Sequence, residues 1–184
     1  MHKTIYNPDF KVLKEDRSFG YQKELTEKLD NLREDFDQNT LNEIVLWKVN
    51  RYALFSNEAM ALINSIGPSE TKLNKDKISV ILFKLLKTKG VQLPMASTIL
   101  RFKNPILFQI IDQRVFRIIY PNETLKLNSY PSEKNIKFQV DLYLKYLEDL
   151  KDACKRLEIP FEKSDRILFM ADRRINKEIS LNNY

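Results

Sequence analysis

A chain of 184 residues with 43% hydrophobic residues is long enough to bury a substantial core, as one domain or as two small lobes sharing a core. Three glycines against 30% charged residues argue against a turn-rich all-β fold, and the Lys/Glu/Leu-rich stretches favour helices. The formal charge of +6 is too modest to name a partner, while a single Cys and a single His (His2) exclude an internal disulfide, Ser–His or Cys–His nucleophile pairs and His-based zinc sites within one chain.

Residues 1–20 lack sustained periodicity and read as an irregular arm. From Gln22 to Asp37, Leu25, Leu29, Leu32 and Phe36 recur at helical spacing and predict an amphipathic helix. Asn39-Thr40 reads as the N-cap of a second helix through about Tyr52, carrying Leu41, Ile44, Val45, Leu46 and Trp47. Ser56 caps a third helix that ends at Gly67-Pro68. Asn74 caps a fourth, running to about Thr88, with Ile78 to Phe83 apolar nearly all round. Gly90-Val91-Gln92 is a turn, and Pro94 suits the first turn of the next helix, where its missing N–H costs nothing. Asn104-Pro105 predicts a short helical turn, and Asp112 stands where an N-cap opens a helix to Tyr120. Pro131-Ser132 opens the longest helix, with a stripe from Ile136 through Val140, Tyr143, Leu147, Leu150 and Cys154 to Leu157. Ser164-Asp165 begins the last. The expectation is an all-α chain of about eight helices forming one domain over 1–184, with the loop at 122–132 as a candidate lobe boundary.

Charge is unevenly spread. Between Thr71 and Asn104 stand eight basic residues and one acid, Asp76, so this segment sums to +7 and the rest of the chain to −1. A local excess of this kind suits phosphate neutralisation, and it also suits a solvated helix face. Lys87 and Lys89 flank Gly90, the residue type that lets backbone N–H groups approach a phosphate without a Cβ in the way. A lone Gly between helices is equally a C-cap, but small Ala96 and Ser97 in the following helix and Asp112, 22 residues beyond the Gly, favour the phosphate-binding reading. Cys154 falls in an apolar stripe and reads as core, Glu34, Asp35 and Asp37 read as a solvated acidic run, and Tyr120, Tyr130 and Tyr143 read as core aromatics. No charge-free run approaches the ~20 residues of a membrane span and no apolar signal core follows Met1, so a cytoplasmic setting without a membrane partner is expected.

The stretch Gly90-Val91-Gln92-Leu93-Pro94-Met95-Ala96-Ser97, followed by Asn104-Pro105, Phe108 and Ile111-Asp112 with Val115, resembles the helix-hairpin-helix DNA glycosylase superfamily over roughly residues 40–120. Glu43 to Lys48 and Ser164 to Leu168 look like helices of uncharacterised bacterial members. The resemblance implies a helical fold of two lobes around a DNA-binding cleft, with the hairpin and Asp helix at 75–120. It implies Lys87, Lys89, Gly90, Val91 and Gln92 as DNA-binding residues and Asp112 as the catalytic carboxylate. It implies no organic cofactor, a structural monovalent cation on hairpin carbonyls, and duplex DNA as the partner. Two departures stand out. Gln92 replaces the second hairpin Gly, and Pro94 occupies the position at which bifunctional members carry a nucleophilic Lys, which excludes Schiff-base chemistry from that position.

Asp112 near an N-glycosidic bond would stabilise the positive charge that builds on deoxyribose and orient a water. Helix N-terminal amides and Arg114 are expected to lower its pKa; a purely structural N-cap is the competing role. Trp47, Lys48 and Arg51 share a predicted helix and, with Arg114, are the candidates for a pocket around an extruded base, against a core Trp47 and surface cations. The favoured activity is monofunctional base excision. The alternatives are a non-catalytic DNA-binding module of the same fold and a defence-associated interaction protein using the fold as scaffold. The sequence is silent on the base recognised and on oligomeric state.

Overall fold

The computed structural model describes residues 22–32, 36–49, 52–121, 123–128 and 130–181. Among these residues the chain is all-helical: α1 (Lys23–Asp30), α2 (Gln38–Lys48), α3 (Asn57–Asn64), α4 (Lys75–Lys87), α5 (Leu93–Lys103), α6 (Gln113–Ile119), α7 (Glu133–Leu157) and α8 (Ser164–Ile175), with a single 3-10 turn at Phe161–Lys163 and no strand. No helix of the described residues is long and apolar enough to cross a membrane. The chain divides into two compact units, Met1–Tyr52 and Ala53–Tyr184. The loop at 122–132 lies within the second unit.

In the first unit α1 pairs with α2. The Trp47 indole N–H donates to the Thr26 hydroxyl at 2.9 Å, and Lys28 meets Glu43 at 2.6 Å. The helix expected over Gln22–Asp37 stops at Asp30, and Phe36 is 61% exposed. Asp37 Oδ1 accepts the Thr40 N–H at 2.7 Å, so Asp37, and not Asn39-Thr40, is the N-cap of α2, which begins at Gln38. The far end of α2 also falls short of Tyr52, closing at Lys48 with Val49 as C-cap.

In the second unit the caps lie where the sequence puts them. Ser56, Asn74 and Ser132 each accept the N–H three residues on, opening α3, α4 and α7. The core runs between α4 and α7: Ile78, Ile81, Leu82 and Leu85 meet the buried stripe Ile136, Val140, Tyr143, Leu147 and Leu150. Val80 is 57% exposed, so α4 is buried on one side only, and Leu157 is 48% exposed because α7 outruns the core by its last turn. Tyr143 is fully buried and Tyr120 half-buried, but Tyr130 is 70% exposed and is not a core aromatic.

Asn104 is the fastener beneath the candidate site. Fully buried at the end of α5, it donates through Nδ2 to the Gly67 and Glu70 carbonyls at 2.8 and 2.9 Å and accepts through Oδ1 from the Ile106 and Leu107 N–H groups. All four of its hydrogen-bonding positions are used. The chain after α5 therefore leaves in one direction, toward Phe108, Ile111 and Asp112.

Candidate nucleic-acid interface

The α4–α5 turn has the geometry that Gly90 anticipates. The Val91 N–H donates to the Thr88 carbonyl at 3.0 Å, and Gly90 sits at φ 84° as the third residue of that turn, a backbone conformation that favours glycine. Gln92 adopts φ −104°, ψ 169°, extended backbone open to any side chain, so the glycine missing here is not needed for the turn. Gln92 is exposed and leads into α5 without a side-chain cap, while the Val91 side chain is buried as an anchor. Tyr130 shares a narrow cleft with Val91 and Gln92. Pro94 lies in the first turn of α5, as expected.

Ser97 joins this turn's second helix to the segment that carries Asp112. Fully buried, its hydroxyl donates to the Pro94 carbonyl at 2.8 Å and accepts the Ile111 N–H at 3.2 Å. Ala96 beside it is also fully buried. On the opposite side, Tyr143 and Tyr146 of α7 donate to the Gln109 and Ile110 carbonyls, each at 2.9 Å. Residues 109–111 are thereby held from both α5 and α7, and Asp112 follows directly.

Asp112 is the N-cap of α6, with Oδ1 accepting the Val115 N–H at 2.8 Å. Its pKa departs from expectation: it is raised, not lowered. Burial is the largest influence and disfavours the charged form; the N–H groups of Val115 and Arg114 and the Arg114 charge oppose it, and nearby Asp172 adds to the rise. The arginine helps less than expected because it is shared. Arg114 reaches Asp172 at 3.0 Å and lies over the Phe169 ring at 5.6 Å. Arg117 grips the same carboxylate through Nε at 2.6 Å and Nη2 at 2.8 Å, and Asn176 donates to it at 2.8 Å. Burial favours the neutral form of Asp172, but these three donors outweigh it and hold its pKa at about 2.

The lysine-rich segment is less bare than its sequence. Lys75 pairs with Glu148 at 2.5 Å, Lys77 with Glu70 at 3.5 Å, Lys84 with Glu58, Lys87 with Glu133 at 3.5 Å, and Arg101 with buried Asp165 at 3.4 Å. Five carboxylates from outside the segment thus face five of its eight cations. Lys89, at the turn itself, is exposed and joins no ion pair among the described residues. Lys87 also lies over the Phe83 ring at 4.4 Å.

Of the expected base-pocket residues, Arg114 lies two residues from Asp112 but is engaged by Asp172. Trp47 and Lys48 belong to the first unit, Trp47 half-buried and Lys48 exposed. Arg51 lies outside the described residues, as do His2, Glu34 and Asp35. A cavity of about 270 Å³ opens along α6; its lining starts at Gln113, the residue after Asp112, and includes Arg117, Thr124 and Ser180. At the turn, the Lys84, Leu85 and Thr88 carbonyls accept from the Thr88 hydroxyl, the Thr88 N–H and the Val91 N–H, and carbonyls of this kind are what a monovalent cation there would use. No cluster of His, Cys, Asp and Glu suited to a metal occurs among the described residues.

No protein-family model, curated protein or solved structure matches this chain. What the fold and site define, among the described residues, is an all-helical arrangement in which a glycine turn and a partly buried carboxylate are fastened to one another.

Proposed function

We propose that the chain binds duplex DNA through the α4–α5 turn and excises a base by monofunctional N-glycoside hydrolysis, with Asp112 as the stabilising and water-orienting carboxylate. One observation carries this reading: Ser97 bonds the second helix of the turn to the residue before Asp112. A phosphate held at Gly90–Gln92 and a sugar presented to Asp112 would then be held by a single rigid piece, which is the positional requirement of such chemistry. Burial raises the basicity of the Asp112 carboxylate, which suits a group that orients and deprotonates water. The cavity that begins at Gln113 offers the Thr124 and Ser180 hydroxyls for the edge of an extruded base. Pro94 has no amine, so no Schiff base forms from that position, and an intact abasic site is the expected product.

The second reading, a DNA-binding module without catalysis, is favoured by the Asp112–Val115 cap, which is sufficient reason for an Asp at this position. Excision assays separate the two. The purified chain is incubated with duplexes bearing uracil, hypoxanthine, 8-oxoguanine or an alkylated purine, and release of free base is followed with and without alkaline cleavage. The expected result is release from at least one duplex, strand scission only after alkali, and loss of release in Asp112→Asn with folding and DNA binding retained, since Asn caps as well as Asp. Retained DNA binding with no release from any duplex would establish the non-catalytic reading.

A further inference from the structure

The sequence of the last helix looks electrically dull. From Glu162 to Glu178 it holds five basic and four acidic residues. The fold separates them. Ser164, Asp165, Leu168 and Asp172 are buried, a stripe at helical spacing turned into the second unit. Both acids on that stripe are consumed by cations of other helices: Asp165 faces Arg101 of α5, and Asp172 holds Arg114 and Arg117 of α6. The remaining acids, Glu162 and Glu178, stand at the two ends.

Lys163, Arg166, Ile167, Met170, Arg173, Arg174 and Lys177 are all exposed. At about 100° per residue Arg166, Ile167, Met170, Arg173 and Arg174 fall within an arc of roughly 120° on the opposite side of α8 from the buried stripe, and Lys163 and Lys177 stand just beyond its two ends. Among the described residues none of these five cations joins an ion pair. The patch extends onto α5, where Phe102, 65% exposed, lies against the Arg166 guanidinium at 5.9 Å and that of Arg101 at 5.2 Å. It also adjoins the candidate site, because α8 packs on α6 and its Phe169 touches Arg114.

We propose that the outer face of α8 is a phosphate-backbone surface for duplex DNA. The inference rests on the DNA-binding reading given above. Charge complementarity selects the occupant. Three arginines on one face of α8 and a lysine beyond each of its ends, none in an ion pair among the described residues and with an exposed aromatic beside them, suit a polyanion, and arginine is the better phosphate fork. The α4 lysines must first release glutamates to do the same work.

The test is the salt dependence of full-chain binding to an unmodified 20-base-pair duplex, for wild type, for the combined variant Arg166→Gln, Arg173→Gln, Arg174→Gln, and for Lys89→Gln. Glutamine keeps helix propensity close to that of arginine, and helical circular dichroism verifies the fold. Each phosphate that the protein no longer neutralises flattens the plot of log K against log salt by about 0.9. The combined variant is expected to flatten it by about 2.7 and Lys89→Gln by about 0.9. An unchanged slope in the combined variant, with wild type still binding, overturns the α8 surface and leaves the hairpin reading standing. Absence of wild-type binding overturns both. Capture of wild type, but not the combined variant, by phosphatidylserine-containing vesicles, with the duplex slope unaltered, would make this face a membrane surface and overturn the proposal.

Discussion

The outer faces of α4 and α8 carry their cations under opposite conditions. On α4, Lys75, Lys77, Lys84 and Lys87 each meet a glutamate sent from another part of the chain. On α8, the two aspartates are turned inward to arginines of α5 and α6, and Arg166, Arg173 and Arg174 face solvent with no carboxylate partner among the described residues. The first arrangement leaves a lysine-rich helix nearly neutral in its surroundings. The second gives a nearly neutral helix a positive face. What an approaching polyanion meets is therefore decided by where the acids point and less by how many there are.

The inward pairs of α8 are structural, and the outward pairs of α4 are marginal. Removing Asp172 leaves Arg114 and Arg117 facing each other without their carboxylate, so Asp172→Ala should cost about 3 kcal/mol in urea denaturation at pH 7. The pH dependence has a definite sign. The folded pKa of Asp172, about 2, lies below the ordinary value, so its stabilisation is fully present above pH ~4 and is lost as pH falls toward 2. The gap between wild type and Asp172→Ala should accordingly be widest at neutral pH and narrow on acidification below 4. A gap that widened in acid would mean that the arginines do not hold this carboxylate.

The smaller effect belongs to α4. The Lys84 and Glu58 side chains are 34% and 68% exposed, so their pairing is screened and entropically opposed, and Lys84→Ala should cost no more than about 1 kcal/mol. A loss equal to that of Asp172→Ala would erase the distinction between the two faces. It would also weaken the idea that these lysines release their glutamates readily for phosphate.

Much of the fold is readable from local chemistry. Ser56, Asn74, Asp112 and Ser132 all cap the helices they announce, and Gly90 is the one glycine among the described residues at positive φ. Small Ala96 and Ser97 signal close packing in the sequence, although the hydroxyl's bond to Ile111 emerges only in the tertiary structure. The ends of the first helices are not legible, because Asp37 competes with Asn39-Thr40 as a start signal and periodicity alone does not rank caps. The Asp112 shift has the opposite sign to the one its neighbours suggest. The adjoining amides and Arg114 are visible in sequence, whereas burial and the competing claim of Asp172 are not. The α8 surface leaves one trace: Asp165 and Asp172 share a helical stripe with Leu168, and an acid on an apolar stripe implies a buried cation to meet it.

Hydrogen exchange of the full chain, with and without a saturating 20-base-pair duplex, tests the central claim most directly. The Gly90, Val91 and Gln92 amides precede α5, and those of Leu93 and Met95 fall in its first turn, where no intrahelical carbonyl is available to them. DNA should slow exchange in the peptide spanning residues 88–96, and Lys89→Glu should remove that protection. Tight duplex binding with unchanged exchange across 88–96 would contradict that claim, because the turn would then not be what holds the phosphate.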